Sequence, residues 1–113
     1  MAMSLSVRRA SVMACELVFS RSAERDRDRI VEYLLYDVKS PQAAGHFLDE
    51  LDEALDLVCS NPALFAVSRE PRLARLGYRP CLFMKHIALY KHEDGVVKVA
   101  RIFHQSQDYA RLV

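Results

Sequence analysis

The sequence predicts a single α+β domain, in which a two-helix antiparallel hairpin packs on one face of a small, mostly antiparallel β-sheet. Three observations predict it. Residues 20–61 carry two successive amphipathic patterns of helical period, joined near Lys39 by a connection short enough to force a hairpin. Residues 79–103 carry three short apolar runs, the last two separated by the turn sequence "HEDG". A further short run, "CELVF" at Cys15–Phe19, precedes the helices. A length of 113 residues suffices for one core and not for two.

Each element has its own warrant. Residues 1–12 show no clear period and read as a loose leader, with the domain proper at 13–113 and Met13 as an alternative start of translation. In "CELVF", Cys15, Leu17 and Phe19 alternate with Glu16 and Val18, as in a strand. The first helix then follows, with Ser20 or Ser22 as N-cap and Ala23, Arg27, Ile30, Val31, Leu34, Leu35 and Val38 at helical spacing. The second starts at Ser40-Pro41, a cap followed by a proline at the first helical position. Its stripe is Ala44, Phe47, Leu48, Leu51, Ala54, Leu55 and Val58, opposite five acidic residues, and Asn61-Pro62 ends it.

Residues 62–78 contain two prolines and no sustained period, which predicts a loop with a single helical turn. "RPCLFM" is the next strand, and Pro80 puts it at an edge or a bulge. "HIALYK" follows, then a tight turn whose Asp94-Gly95 accepts positive backbone angles. "VVKVARIF" is apolar on both faces and belongs at the centre of the sheet. The tail "DYARLV" is read as a helical turn. With both helices on one side, the opposite face of the sheet is expected to stay bare.

Composition excludes several classes. No apolar run approaches the roughly 20 residues that span a bilayer, and Glu16 interrupts the apolar N-terminal stretch, so neither membrane nor secretion is expected. Cys15, Cys59 and Cys81 are odd in number, far apart and set among apolar neighbours. They read as reduced thiols of a cytoplasmic protein. No CxxC or HxxxH spacing, glycine-rich nucleotide loop or Ser-His-Asp order exists, so no metal and no cofactor are expected.

Charge carries the functional signal. Residues 1–61 hold seven Lys/Arg against eleven Asp/Glu, whereas residues 62–113 hold nine against four. The net +1 thus divides into an acidic half of −4 and a basic half of +5, which implies a basic side that meets an anionic partner. Arg69, Arg72, Arg75, Arg79, Lys85 and Arg101 are the candidate partner-binding set, suited to phosphate or to an acidic peptide. In a regular last strand, Val97, Val99, Arg101 and Phe103 share one face, and Lys98, Ala100, Ile102 and His104 the other. Arg101 follows two valines there and needs a carboxylate, Asp26 or Asp108, unless its side is open to an anion. His104 ends the strand and is a candidate general acid or base, near Tyr90 or Tyr109. Arg79, Lys85 and Arg101 are candidate stabilisers of phosphate charge.

From Met13 to Val113 the chain resembles the RelE/ParE superfamily of toxins from bacterial type II toxin–antitoxin modules. The likeness rests on "LVFSRSAERDRDRIVEYL", on Pro62 after the second helix, on "LGYRP", and on "HIALYKHEDGVVKVARIFHQSQD". The close "RIFHQSQD" is similar to that of ParE-like members, which poison DNA gyrase. RelE-like members are ribosome-dependent mRNA endonucleases that use basic residues with a C-terminal Tyr or His. Their matching positions here are Arg79, Arg101 and His104, with Tyr109 as a further candidate. Gln105 stands where the YoeB-like close has Tyr, and the second helix is acidic rather than lysine-rich, so the resemblance favours the ParE-like subgroup. It implies a growth-inhibiting toxin of the plasmid-stabilisation kind, neutralised by the acidic C-terminal segment of a cognate antitoxin laid on the open side of the sheet. The alternatives are an mRNA endoribonuclease and a non-toxic nucleic-acid or protein-binding module.

Overall fold

The computed structural model describes residues 5–9, as backbone, and 15–107. The elements run β1 (Leu5–Arg9), β2 (Glu16–Ser20), α1 (Arg21–Glu32), a π-helical segment (Tyr33–Asp37), α2 (Pro41–Ser60), α3 (Pro71–Arg75), β3 (Arg79–Phe83), β4 (His86–Glu93) and β5 (Val96–His104). Met13, Asp108, Tyr109 and the expected C-terminal helical turn lie outside the described residues.

The five strands of the described residues are ordered β1-β2-β5-β4-β3. Among the described residues only β2 and β5 run parallel, and the other three pairings are antiparallel. β5 is central and β3 an edge, as their apolar pattern and Pro80 predict. Leu5–Arg9 pairs with β2, so a strand stands where the sequence showed no patterned element. Tertiary pairing along the open edge of β2 supplies what local pattern does not.

Both helices start where their caps predict. Ser20 Oγ accepts the Ala23 amide at 2.9 Å, and Ser40 Oγ accepts the Ala43 amide at 3.1 Å, with Pro41 in the first turn. The first helix does not stay α-helical to its end. It widens at Tyr33–Asp37, where the Val38 amide donates to the Tyr33 carbonyl at 3.0 Å, and it stops at Lys39, which holds φ 59°. The stripe of α2 buries Phe47, Leu51, Leu55 and Val58 almost completely against Leu17, Phe19, Cys81, Phe83, Ala88, Tyr90, Val97 and Val99. Asp94 (φ 52°) and Gly95 (φ 76°) make the turn between β4 and β5.

Three expectations need correction. Cys15 and Cys59 form a disulfide that joins the start of β2 to the last turn of α2, with Cα atoms 5.5 Å apart; only Cys81 remains a thiol. The helical layer folds these two positions together across 44 residues, a proximity that sequence spacing hides. Second, the outer face of the central strands is not bare. Val18, Ile87, Leu89 and Phe103, which alternate with the helix-facing residues, are each exposed by 5% or less. Third, the alternation along β5 breaks. Tyr90 pairs with Val99 but Leu89 with Arg101, so Ala100 is an extra residue and the phase reverses beyond it. Ile102 therefore shares the helix-side core with Val97 and Val99, while Arg101 moves to the outer side opposite Leu89.

Candidate functional site

The bulge at Ala100 governs a structured polar site. β2 pairs with β5 only as far as Val99, because the chain then turns into α1. Beyond that point β5 would be an open edge with unsatisfied amides and carbonyls. Side chains take the place of the missing strand. The N-cap Ser20 donates its hydroxyl to the Ala100 carbonyl at 2.6 Å, and Asp26, one turn into α1, accepts the Ile102 amide at 3.0 Å. Asp26 also receives Arg101 Nε at 2.7 Å and Nη2 at 3.1 Å, a bidentate pair. Asp26 is 8% exposed, so one buried carboxylate fastens α1 to the sheet and neutralises Arg101. The guanidinium lies over the Phe103 ring, 4.8 Å from its centroid.

Beside this clasp lies an open cleft of about 910 Å³. α1 and the π segment supply Arg29, Ile30, Tyr33 and Leu34; the β3–β4 turn supplies Met84 and Lys85; the ends of β4 and β5 supply His86, Ile102, Phe103 and His104. The floor is apolar and the rim cationic. Tyr33 is more than half exposed and Met84 nearly so.

His86 and His104 sit directly opposite on β4 and β5, their rings edge-to-face with centroids 5.5 Å apart. His86 also packs against Phe47, 5.0 Å between centroids, and its Nδ1 is buried without a hydrogen-bond partner. Burial, and secondarily the neighbouring His104, holds its pKa below the ordinary histidine value. The Ser106 amide donates to His104 Nδ1 at 3.1 Å, and the Ser106 hydroxyl lies 2.7 Å from the same atom. That assignment leaves the proton of the neutral His104 ring on Nε2.

The residues singled out in the sequence fall into two groups. Arg101, His104 and Lys85 line the cleft. Arg79 does not, for it donates to the Phe65 carbonyl at 2.6 Å and ties the loop after α2 to the sheet. Tyr90 does likewise, donating to the Pro62 carbonyl at 2.7 Å, and burial raises its pKa. Arg69, Arg72 and Arg75 are exposed on and around α3, in that same loop region. Sequence reasoning missed Arg29, Tyr33, Met84 and His86 as cleft residues. Among the described residues, no group of three or more His, Cys, Asp or Glu could hold a metal ion, and no helix is long and apolar enough to cross a membrane.

Fold and cleft together define a helix hairpin on a mixed sheet with an apolar, cation-rimmed recess. The family model for the ParE toxin of the type II toxin–antitoxin system parDE matches residues 17–109, and the chain belongs to that family. Its structure is similar to one from the chromosomal ParDE toxin–antitoxin system of P. aeruginosa, with a TM-score of 0.61 and 18% identity over 76% of this chain and 90% of that one. No curated protein matches the chain in sequence.

Proposed function

We propose that this ParE-family toxin acts by binding, poisoning DNA gyrase, and that a cognate antitoxin neutralises it with an acidic, amphipathic segment seated in the cleft between α1 and the β3–β4 turn. The observation that carries the reading is the clasp. A nuclease centre needs cations free to stabilise the charge that develops on phosphate. Of the three candidate stabilisers, Arg101 is held by the buried Asp26 and Arg79 is spent on the Phe65 carbonyl, which leaves only Lys85 of the three beside His104 in the cleft. The cleft offers apolar area with Arg29 and Lys85 on its rim, which suits an amphipathic peptide. Arg69, Arg72 and Arg75 are exposed on and around α3, outside the cleft, and give a basic surface for a target or its DNA. On this reading the protein works in the cytoplasm.

The deciding experiment adds purified toxin to a gyrase supercoiling reaction and, separately, to translating ribosomes. Loss of supercoiling with accumulation of cleaved DNA, and intact ribosome-bound mRNA, is the expected result. Cleavage of mRNA with unimpaired supercoiling replaces the reading by the endoribonuclease one. Inactivity in both assays supports the plain binding module.

A further inference from the structure

The disulfide connects two places that matter for the helical layer. Cys15 lies just before β2 and is partly exposed, whereas Cys59 is buried in the last turn of α2. The covalent ring between them encloses α1, the π segment and almost all of α2, and with them the helical wall of the cleft. Non-covalent ties also attach this layer: Ser20 and Asp26 fix the beginning of α1, and Leu55 and Val58 are buried beside Cys59, whereas the hairpin tip has Tyr33, Tyr36 and Val38 exposed. At the end of α2 the chain passes directly into residues 61–70, whose carbonyls at Pro62 and Phe65 receive Tyr90 and Arg79.

We propose that the Cys15–Cys59 bond is a reversible redox staple that sets how firmly the helical layer and residues 61–70 are held on the sheet. The cytoplasmic setting rests on the function proposed above. There glutathione keeps most thiols reduced, and the disulfides that do occur are mainly transient and redox-sensing. Oxidation runs by thiol–disulfide exchange with glutathione disulfide. The Cys15 thiolate attacks one sulfur of that disulfide, giving a mixed disulfide and releasing one glutathione thiolate. The Cys59 thiolate then attacks the Cys15 sulfur, forming the protein bond and releasing the second glutathione. The two cysteines lose two electrons and two protons, and glutathione disulfide gains them. Cys81 takes no part, since it is fully buried and burial pushes its thiol up to about 12.

The test uses the full chain alone, so its outcome is independent of gyrase and antitoxin. The protein is equilibrated in glutathione buffers from reducing to oxidising, quenched in acid, unfolded and alkylated, and its free thiols are counted by mass spectrometry. Three thiols are expected at the reducing end and one at the oxidising end. The oxidised form should melt about 10 °C higher, because the ring closes a long loop of the unfolded chain. Cys15→Ser and Cys59→Ser should melt like the reduced protein at every ratio, and Cys81→Ser should keep the shift. Three thiols at all ratios, one thiol at all ratios, or equal melting temperatures in the two states would overturn the proposal.

Discussion

Replacing Asp26 with alanine should cost about 3–4 kcal/mol of folding stability, and the structure supplies the terms. The carboxylate accepts three hydrogen bonds, two from Arg101 and one from the Ile102 amide. Its removal leaves the Ile102 amide unsatisfied at a covered strand edge, worth about 1–3 kcal/mol. It also takes from Arg101 its buried counter-charge. Breaking a fully buried ion pair costs about 3–5 kcal/mol. The Arg101 side chain keeps 26% exposure, which places this pair at or below the lower end of that range. Urea unfolding followed by far-UV circular dichroism reads the change. With a slope of about 1.5 kcal/mol/M, the midpoint should fall by roughly 2 M. Arg101→Met in the Asp26→Ala background removes the guanidinium that has lost this carboxylate and should restore part of the loss. A loss below about 1 kcal/mol, or a double-mutant cycle without coupling, would refute the claim that this clasp holds α1 to the sheet.

Phe47→Ala should destabilise by about 3–5 kcal/mol in the same assay, because the ring is fully buried and its cavity would open beneath Phe83 and His86. His86 has its pKa lowered in the fold by burial and by His104, so the unfolded chain takes up the proton first on acidification. Its contribution is therefore intact above the unfolded value of about 6.5 and is lost as pH falls toward the lower folded value. Urea midpoints between pH 8 and 5 should show that decline, and His86→Leu should flatten it. Cys81, with its thiol raised to about 12, should resist maleimide in the native protein and react only on unfolding; rapid native labelling would contradict its burial.

Local chemistry alone determined much of this molecule. Ser20 and Ser40 cap the helices, the α2 stripe faces the core, and Asp94-Gly95 turns the last hairpin, because each depends on residues within one or two turns of chain. The central place of β5 was equally legible from its two apolar faces. Tertiary structure decided the site. Counting back from the Asp94-Gly95 turn, a regular ladder places Phe103 opposite His86 and keeps Arg101 with the valines. One unpaired residue at Ala100 puts His104 opposite His86 instead and carries Arg101 to the other face. The bulge falls where β2 gives way to α1 and β5 loses its neighbour, so its cause is distant in sequence. The same holds for Asp26 beneath Arg101 and for Cys15 beside Cys59. These pairs are 75 and 44 residues apart, and only the packing of the helical layer on the sheet brings them within bonding reach.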